Sequence, residues 1–140
     1  MYSLQTTDVS DPMALITYLV EDSVTIRENL ILTLEEIAHV KVVGFAESEQ
    51  EANLWLSAHN KDWQLVIVDM FLKEGSGLGV LEGCQNRHAD QKVVVLTNYA
   101  TNEVRKRCAE LGSDAVFDKS NELDELLEYC KHVTSHKDLH

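Results

Sequence analysis

Apolar residues in this chain alternate between two rhythms. Short, nearly continuous apolar runs occupy Ala14 to Val20, Val40 to Phe45, Leu65 to Asp69, Lys92 to Leu96 and Ala115 to Phe117. Runs of that length without polar alternation read as strands covered on both faces. Between them the apolar residues fall three or four apart. Ile26, Leu30, Leu34 and Ile37 define one face of a helix over Val24 to Ala38. Ser48 caps a second helix reaching about Ala58, with Glu51 at the capping-box position and Ala52, Leu54, Trp55 and Leu56 as its apolar residues. After Asp69 a Gly-rich loop, Lys73 to Gly77, leads into a helix carrying Leu78, Leu81 and Cys84, weakened by Gly79 and Gly83. A helix over Thr101 to Leu111 closes on Gly112. The last, Asn121 to His132, turns Leu123, Leu126, Leu127 and Cys130 inward.

Strand and helix alternating in this way make a (βα)5 chain of the α/β class. Right-handed crossovers then require a doubly wound parallel sheet. The flavodoxin-like order 2-1-3-4-5 places its switch point between strands one and three, and open α/β sheets bind ligands at the carboxyl edge there. Glu21 and Asp22 end the first strand and Asp69 ends the third. This order brings all three carboxylates to one crevice. Such charges are costly beside a desolvated core unless they are paired or bound to a cation.

Composition narrows the picture. A length of 140 residues supports one domain, expected over 13–133, between a flexible segment 1–12 and a flexible tail 134–140. A formal net charge of -12 argues against direct nucleic-acid or anionic-membrane binding. No apolar run is long enough to span a bilayer, and Met1 to Pro12 lacks a signal peptide's basic and apolar regions. Cys84, Cys108 and Cys130 are far apart and odd in number, which argues against disulfide or zinc frameworks and suits a reducing cytoplasm. His39, His59, His88, His132, His136 and His140 have no metal-like spacing and read as surface residues. Trp55 and Trp63 read as packing residues.

The strand ends carry the chemistry. To the three acids the fourth strand adds Thr97 and the fifth adds Lys119, just past Phe117-Asp118. Three carboxylates on oxygen-rich loops suit a hard divalent cation, Mg²⁺ above all, which keeps waters and pairs with phosphate. A carboxylate can itself accept a phosphoryl group. Lys119 is a compact point charge for the transferring oxygens, and the Thr97 hydroxyl a donor to another. The inventory describes metal-assisted phosphoryl transfer to Asp69.

In these residues the chain resembles the receiver domains of two-component response regulators. Val20-Glu21-Asp22 is similar to that family's acidic pair. Val66-Ile67-Val68-Asp69-Met70 resembles its phosphoacceptor strand, Leu96-Thr97-Asn98 its hydroxyl strand, and Phe117-Asp118-Lys119-Ser120 its lysine corner. Gly77 follows Asp69 by eight residues and Gly112 precedes Lys119 by seven, as in the family. The resemblance covers Leu15 to Val133. It implies that Asp69 is phosphorylated by a histidine kinase or histidine phosphotransfer protein. It also implies that Glu21, Asp22, Asp69 and the Met70 carbonyl hold Mg²⁺, and that Thr97 and Lys119 contact the phosphoryl group. A chemotaxis-regulator-like, single-domain receiver of this kind is a signalling domain rather than an enzyme. Its output comes through protein contact, and homodimerisation on activation is one form of it. Three alternatives stand beside this reading: a fragment of a larger DNA-binding regulator or hybrid kinase, a phosphorylation-independent binding module, and a metal-dependent phosphatase. The last wants a second aspartate where Phe71 stands.

The chain departs from the family at several positions. Val116 replaces the aromatic residue whose rotation reports phosphorylation, and Phe117 beside it points to the other sheet face. Tyr99 is the substitute expected. Ser120 replaces the usual proline after the lysine, so the Lys119-Ser120 bond is expected trans, or cis under strain. Lys73 stands where proline is common, and Asn98 where a small residue is. Phe71 and Tyr99 are expected to shield the acyl phosphate from water. Arg105-Lys106-Arg107 offers either a solvated helix face or a contact for an acidic partner, and Ile26 a docking point for a kinase helix.

Overall fold

The computed structural model describes residues 13–137. The expected flexible segment 1–12, the end of the tail, His140 and the side chain of His136 lie outside the described residues. In chain order the elements are β1 (Leu15–Val20), α1 (Val24–Ile37), β2 (Val40–Ala46), α2 (Glu49–Ala58), β3 (Leu65–Asp69), α3 (Gly77–Gly83), β4 (Lys92–Thr97), α4 (Asn102–Glu110), β5 (Ala115–Asp118) and α5 (Leu123–Lys137). The five strands pair in parallel in the order β2-β1-β3-β4-β5. This is the doubly wound topology that the apolar runs predict.

Successive strand residues point to opposite faces, and each face has its own core. Tyr18, Val20, Val66, Val68, Val93 and Val95 pack against the helices α2, α3 and α4. Leu15, Leu19, Leu65, Ile67, Val94 and Leu96 pack against α1 and α5. Phe117 lies on the α1/α5 side, edge-on to Tyr129 at 5.7 Å, and Val116 lies on the other. The two residues do face opposite ways.

Several local assignments shift. The face that α1 buries is Arg27, Leu30 and Leu34, whereas Ile26 and Ile37 are 40% and 53% exposed. Ser48 caps α2 by accepting from Glu51 N–H, but the Glu51 carboxylate reaches past the cap to the N–H of Glu47 at 2.8 Å. Leu54, expected among the apolar residues of α2, is exposed. The final helix extends to Lys137, and buried Thr134 donates its hydroxyl to the Cys130 carbonyl. Gly112, at φ +100°, accepts the left-handed turn after α4.

Trp63 is buried, and Trp55 stacks between Tyr18 and His59, so both tryptophans pack. His59 is therefore half-buried against Trp55, not a free surface residue. The three cysteines are buried free thiols, and burial pushes Cys130 up to about 12. Arg105 is not part of a free basic patch. Its guanidinium donates to the Ala100 and Val116 carbonyls and to Glu122, while Lys106 and Arg107 stay exposed.

Helix α3 is short and rests on α2. Gly75, Gly79 and Gly83 all turn toward it: a Cβ on Gly75 or Gly79 would strike Glu49, and one on Gly83 would strike Asn53. The Glu49 carboxylate accepts from Ser76 N–H at 2.9 Å, and Glu49 N–H donates to the Glu74 carbonyl at 3.2 Å. One α2 residue thus holds the loop that leads into α3.

Candidate functional site

The parallel register lines up the carboxyl ends of β1, β3, β4 and β5. Val20 pairs with Val68, Asp69 with Leu96 and Thr97 with Asp118. Residues that end or follow these strands therefore meet at one edge. Oxygens of Glu21, Asp22 and Asp69 lie within 4.8 Å of one another. Lys119 Nζ sits between two of them, donating to Glu21 Oε1 and Asp69 Oδ2, each at 2.9 Å. Glu21 is 2% exposed, so this is a desolvated ion-pair network rather than a surface salt bridge.

Backbone donors fix three further oxygens. Asp69 Oδ1 accepts from Phe71 N–H at 3.1 Å, Glu21 Oε2 from Ser23 N–H at 3.1 Å, and Asp22 Oδ2 from Lys73 N–H at 2.6 Å. The last bond ties the β1 and β3 loops together through a backbone group. Burial raises the Asp69 carboxyl above its ordinary value, against the opposing Lys119 hydrogen bond. Burial pulls the Lys119 ammonium down, but hydrogen bonds to Glu21 and Asp69 outweigh it, and its pKa is raised. Lys119 is thus a permanent cation at this edge.

Thr97 is fully buried beside this network. Its Oγ1 accepts from Tyr99 N–H at 3.1 Å, and its carbonyl takes Lys119 N–H at 2.8 Å. The Met70 carbonyl accepts from Gly77 N–H at 2.9 Å and keeps a second lone pair. No peptide bond among the described residues is cis, so Lys119-Ser120 is trans. Asp118 closes that corner instead, accepting from Ser120 and Asn121 N–H at 2.7 and 3.1 Å. Asn98 is exposed and lines an apolar cleft of about 320 Å³ with Ile26, Leu30, Leu123 and Ser120. The ring of Phe71 meets that of Tyr99 edge to face at 5.4 Å; the two are 53% and 63% exposed.

An all-oxygen donor set of three carboxylates fits a hard divalent cation. Every site residue read from the sequence lies at this edge. Two residues that the sequence reading missed support it. Arg27, buried on α1, donates to the Glu21 carbonyl at 3.0 Å, and Glu49 anchors the β3 loop. Arg27 had a readable signal, since it sits three residues before Leu30 and seven before Leu34, on the buried stripe.

Residues 17–131 match the family of the response regulator receiver domain. The response regulator UvrY of Escherichia coli K12 is 26% identical over 117 residues, 84% of this chain and 53% of that protein. The transcriptional regulatory protein YdfI of Bacillus subtilis is 26% identical over 95 residues, 68% of this chain and 43% of that protein. The chain thus spans about half the length of the curated relatives it matches. Among solved structures, a LuxR-family DNA-binding response regulator from Staphylococcus aureus superposes with TM-score 0.75 at 19% identity. It covers 86% of this chain and 98% of that one. The response regulator domain of Thermotoga maritima CheB superposes at 0.74 and 18% identity, covering 87% and 97%. With the family matched over most of its length and the fold shared, this chain belongs to the response regulator receiver domains of two-component signalling.

Proposed function

We propose that the domain accepts a phosphoryl group on Asp69 from a phosphohistidine of a histidine kinase or phosphotransfer protein, with Mg²⁺ as cofactor. The observation that carries this is the cluster of Glu21, Asp22 and Asp69 with Lys119 bridging two of its members. An Asp69 carboxylate oxygen bonds to phosphorus as the N–P bond of the donor breaks, and the departing imidazole takes up a proton. Glu21, Asp22, Asp69 and the Met70 carbonyl would hold the Mg²⁺, which would offset charge on the transferring group. Lys119 follows the phosphoryl oxygens as a fixed positive charge, and the Thr97 hydroxyl donates to another.

The test is incubation with acetyl phosphate and Mg²⁺, read by intact mass, with beryllofluoride binding in parallel. Wild type should gain one phosphoryl group and Asp69→Ala none. A wild-type protein that folds and stays unmodified overturns the reading and favours a phosphorylation-independent module.

Phe71 and Tyr99, whose N–H groups hold Asp69 and Thr97 and whose rings meet edge to face, are expected to shield the acceptor from water. Phe71→Asn and Tyr99→Glu should each speed loss of the acyl phosphate about three- to tenfold, a barrier change of roughly 1 kcal/mol. Decay at or below the wild-type rate sinks the shielding role. With Val116 unable to act as reporter, Tyr99 is the residue expected to move on phosphorylation.

Output follows one of two routes: protein contact by a stand-alone receiver, homodimerisation included, or control of an attached DNA-binding module. Relatives about twice as long as the matched region favour the second. The net charge of -12 sets the receiver itself apart from nucleic acid. Free buried thiols go with a cytoplasmic setting. Among the described residues, no helix is long and apolar enough to cross a membrane.

A further inference from the structure

Arg27 is a charged residue in a helix face that otherwise buries leucine. Its side chain is 8% exposed, and the guanidinium carbon lies 3.9 Å from the centroid of the Phe45 ring on β2. Nη1 donates both to the Glu21 carbonyl at 3.0 Å and to Glu47 Oε2 at 2.8 Å. A buried guanidinium is expensive unless it is paired, and this one is paired by a carboxylate and an aromatic face together. A methionine would fill the helix face without that cost, so packing alone does not explain the residue.

Its backbone target gives a better account. The Glu21–Asp22 peptide lies just past the last ladder pairs of β1, Val20 with Ala46 and Val20 with Val68. Glu21 N–H is held by the Ala46 carbonyl at 3.0 Å. The Glu21 carbonyl has no strand partner and is held by Arg27 instead. With its N–H and its carbonyl both held, the backbone of Glu21 is restrained on either side of its Cα, and with it the direction in which the chain runs on to Asp22. Glu47, bound to the same Nη1, offsets the guanidinium charge, so the arginine orients the acids without a net positive charge to repel a cation.

We propose that Arg27, locked by Glu47 and Phe45, is a positioning residue for the divalent-cation site and sets its affinity through the Glu21 carbonyl. The inference rests on the acids binding Mg²⁺, as proposed above. Groups outside the ligand shell that orient ligands typically change metal affinity by about 10- to 100-fold. One hydrogen bond to a ligand's backbone belongs at the lower end of that range.

The test is Mg²⁺ titration by calorimetry, with Mn²⁺ by electron paramagnetic resonance, on folded protein without any phosphodonor. Arg27→Met should raise the Kd about tenfold. Arg27→Lys, whose single ammonium can still reach one acceptor, should recover part of that loss. Glu47→Ala should weaken binding by a smaller factor and add nothing in the Arg27→Met background. Leu34→Val, a change in the same buried face away from the site, should lower the melting temperature and leave the Kd unchanged. An Arg27→Met Kd within twofold of wild type, or an equal rise in Leu34→Val, overturns the positioning role. A wild-type protein that binds neither ion overturns the metal reading itself, a separate result.

Discussion

Lys119→Met is expected to cost about 3–5 kcal/mol of folding stability at pH 7, the usual penalty for removing one partner from a buried ion pair. Lys119 bridges Glu21 and Asp69, whose side chains are 2% and 8% exposed. Methionine preserves the stem and deletes only the charge, leaving two carboxylates facing each other away from water. The loss should depend on pH. Without Lys119 the burial that already raises Asp69, reinforced by the Glu21 charge, is opposed only by the Phe71 N–H hydrogen bond. A carboxyl with a raised folded pKa binds its proton more tightly in the native state, so it destabilises the fold as pH rises past the unfolded value of about 4. The variant should therefore lie closer to wild type near pH 4.5 than at pH 7. Millimolar Mg²⁺ should recover part of the deficit at pH 7, because a cation that binds only the native state stabilises it. Urea unfolding at both pH values, with and without Mg²⁺, measures all three effects. A cost under about 1 kcal/mol, or one that grows toward acid, would show that the lysine is not the counter-ion of this cluster.

Gly77→Ala is expected to cost about 2–3 kcal/mol and to slow phosphorylation of Asp69 as well. Gly77 has no left-handed φ that would require glycine. Its constraint is space: a Cβ would lie 2.5 Å from the Asp69 carbonyl oxygen, 2.8 Å from Met70 Cα and 2.9 Å from Val68 Cγ1. Two of those atoms are backbone in β3 and its first loop residue, so they cannot swing away as a side chain can. Either α3 retreats and the Gly77 N–H to Met70 carbonyl bond breaks, or the end of β3 shifts and takes the acceptor with it. Both outcomes couple stability to chemistry. Gly83→Ala supplies the contrast, since its Cβ would meet only the end of the Asn53 side chain. Equal effects of the two substitutions on phosphorylation rate would refute the coupling.

The strands were legible because parallel strands covered on both faces cannot afford polar alternation, and their bounds fall within a residue or two of the apolar runs. Asp69, Glu21, Asp22 and Lys119 were legible for the same reason, as charges standing where burial should forbid them. What connects them was not. The double bridge from Lys119 depends on the register of β1, β3 and β5, which no local pattern encodes. In α1 the periodicity selected Ile26 and Ile37, because hydropathy assigns an arginine to solvent. The true stripe runs through Arg27, whose partners Phe45 and Glu47 come from another strand and loop. Arg105 misled in the opposite sense. Its neighbours in sequence suggested a basic surface, whereas its guanidinium is spent on carbonyls of the β4–α4 and β5 segments. At Ser120 the missing proline was visible, but not the Asp118 turn that closes the corner in its place.

The glycine ridge of α3 has a mechanical consequence. A seven-residue helix with glycine at its first, third and last positions has little rigidity of its own. It borrows stiffness from α2, where the Glu49 carboxylate accepts from Ser76 N–H and the Glu49 N–H donates to the Glu74 carbonyl. The acids and the loop that donates to them are therefore mounted differently. Glu21 and Asp22 ride on the sheet and on α1, whereas the loop that carries Lys73 and Phe71 rides on a neighbouring helix. Displacing α2 would therefore bear first on that loop, and through the N–H groups of Phe71 and Lys73 on the orientation of the Asp69 and Asp22 carboxylates, with the strands themselves left in place.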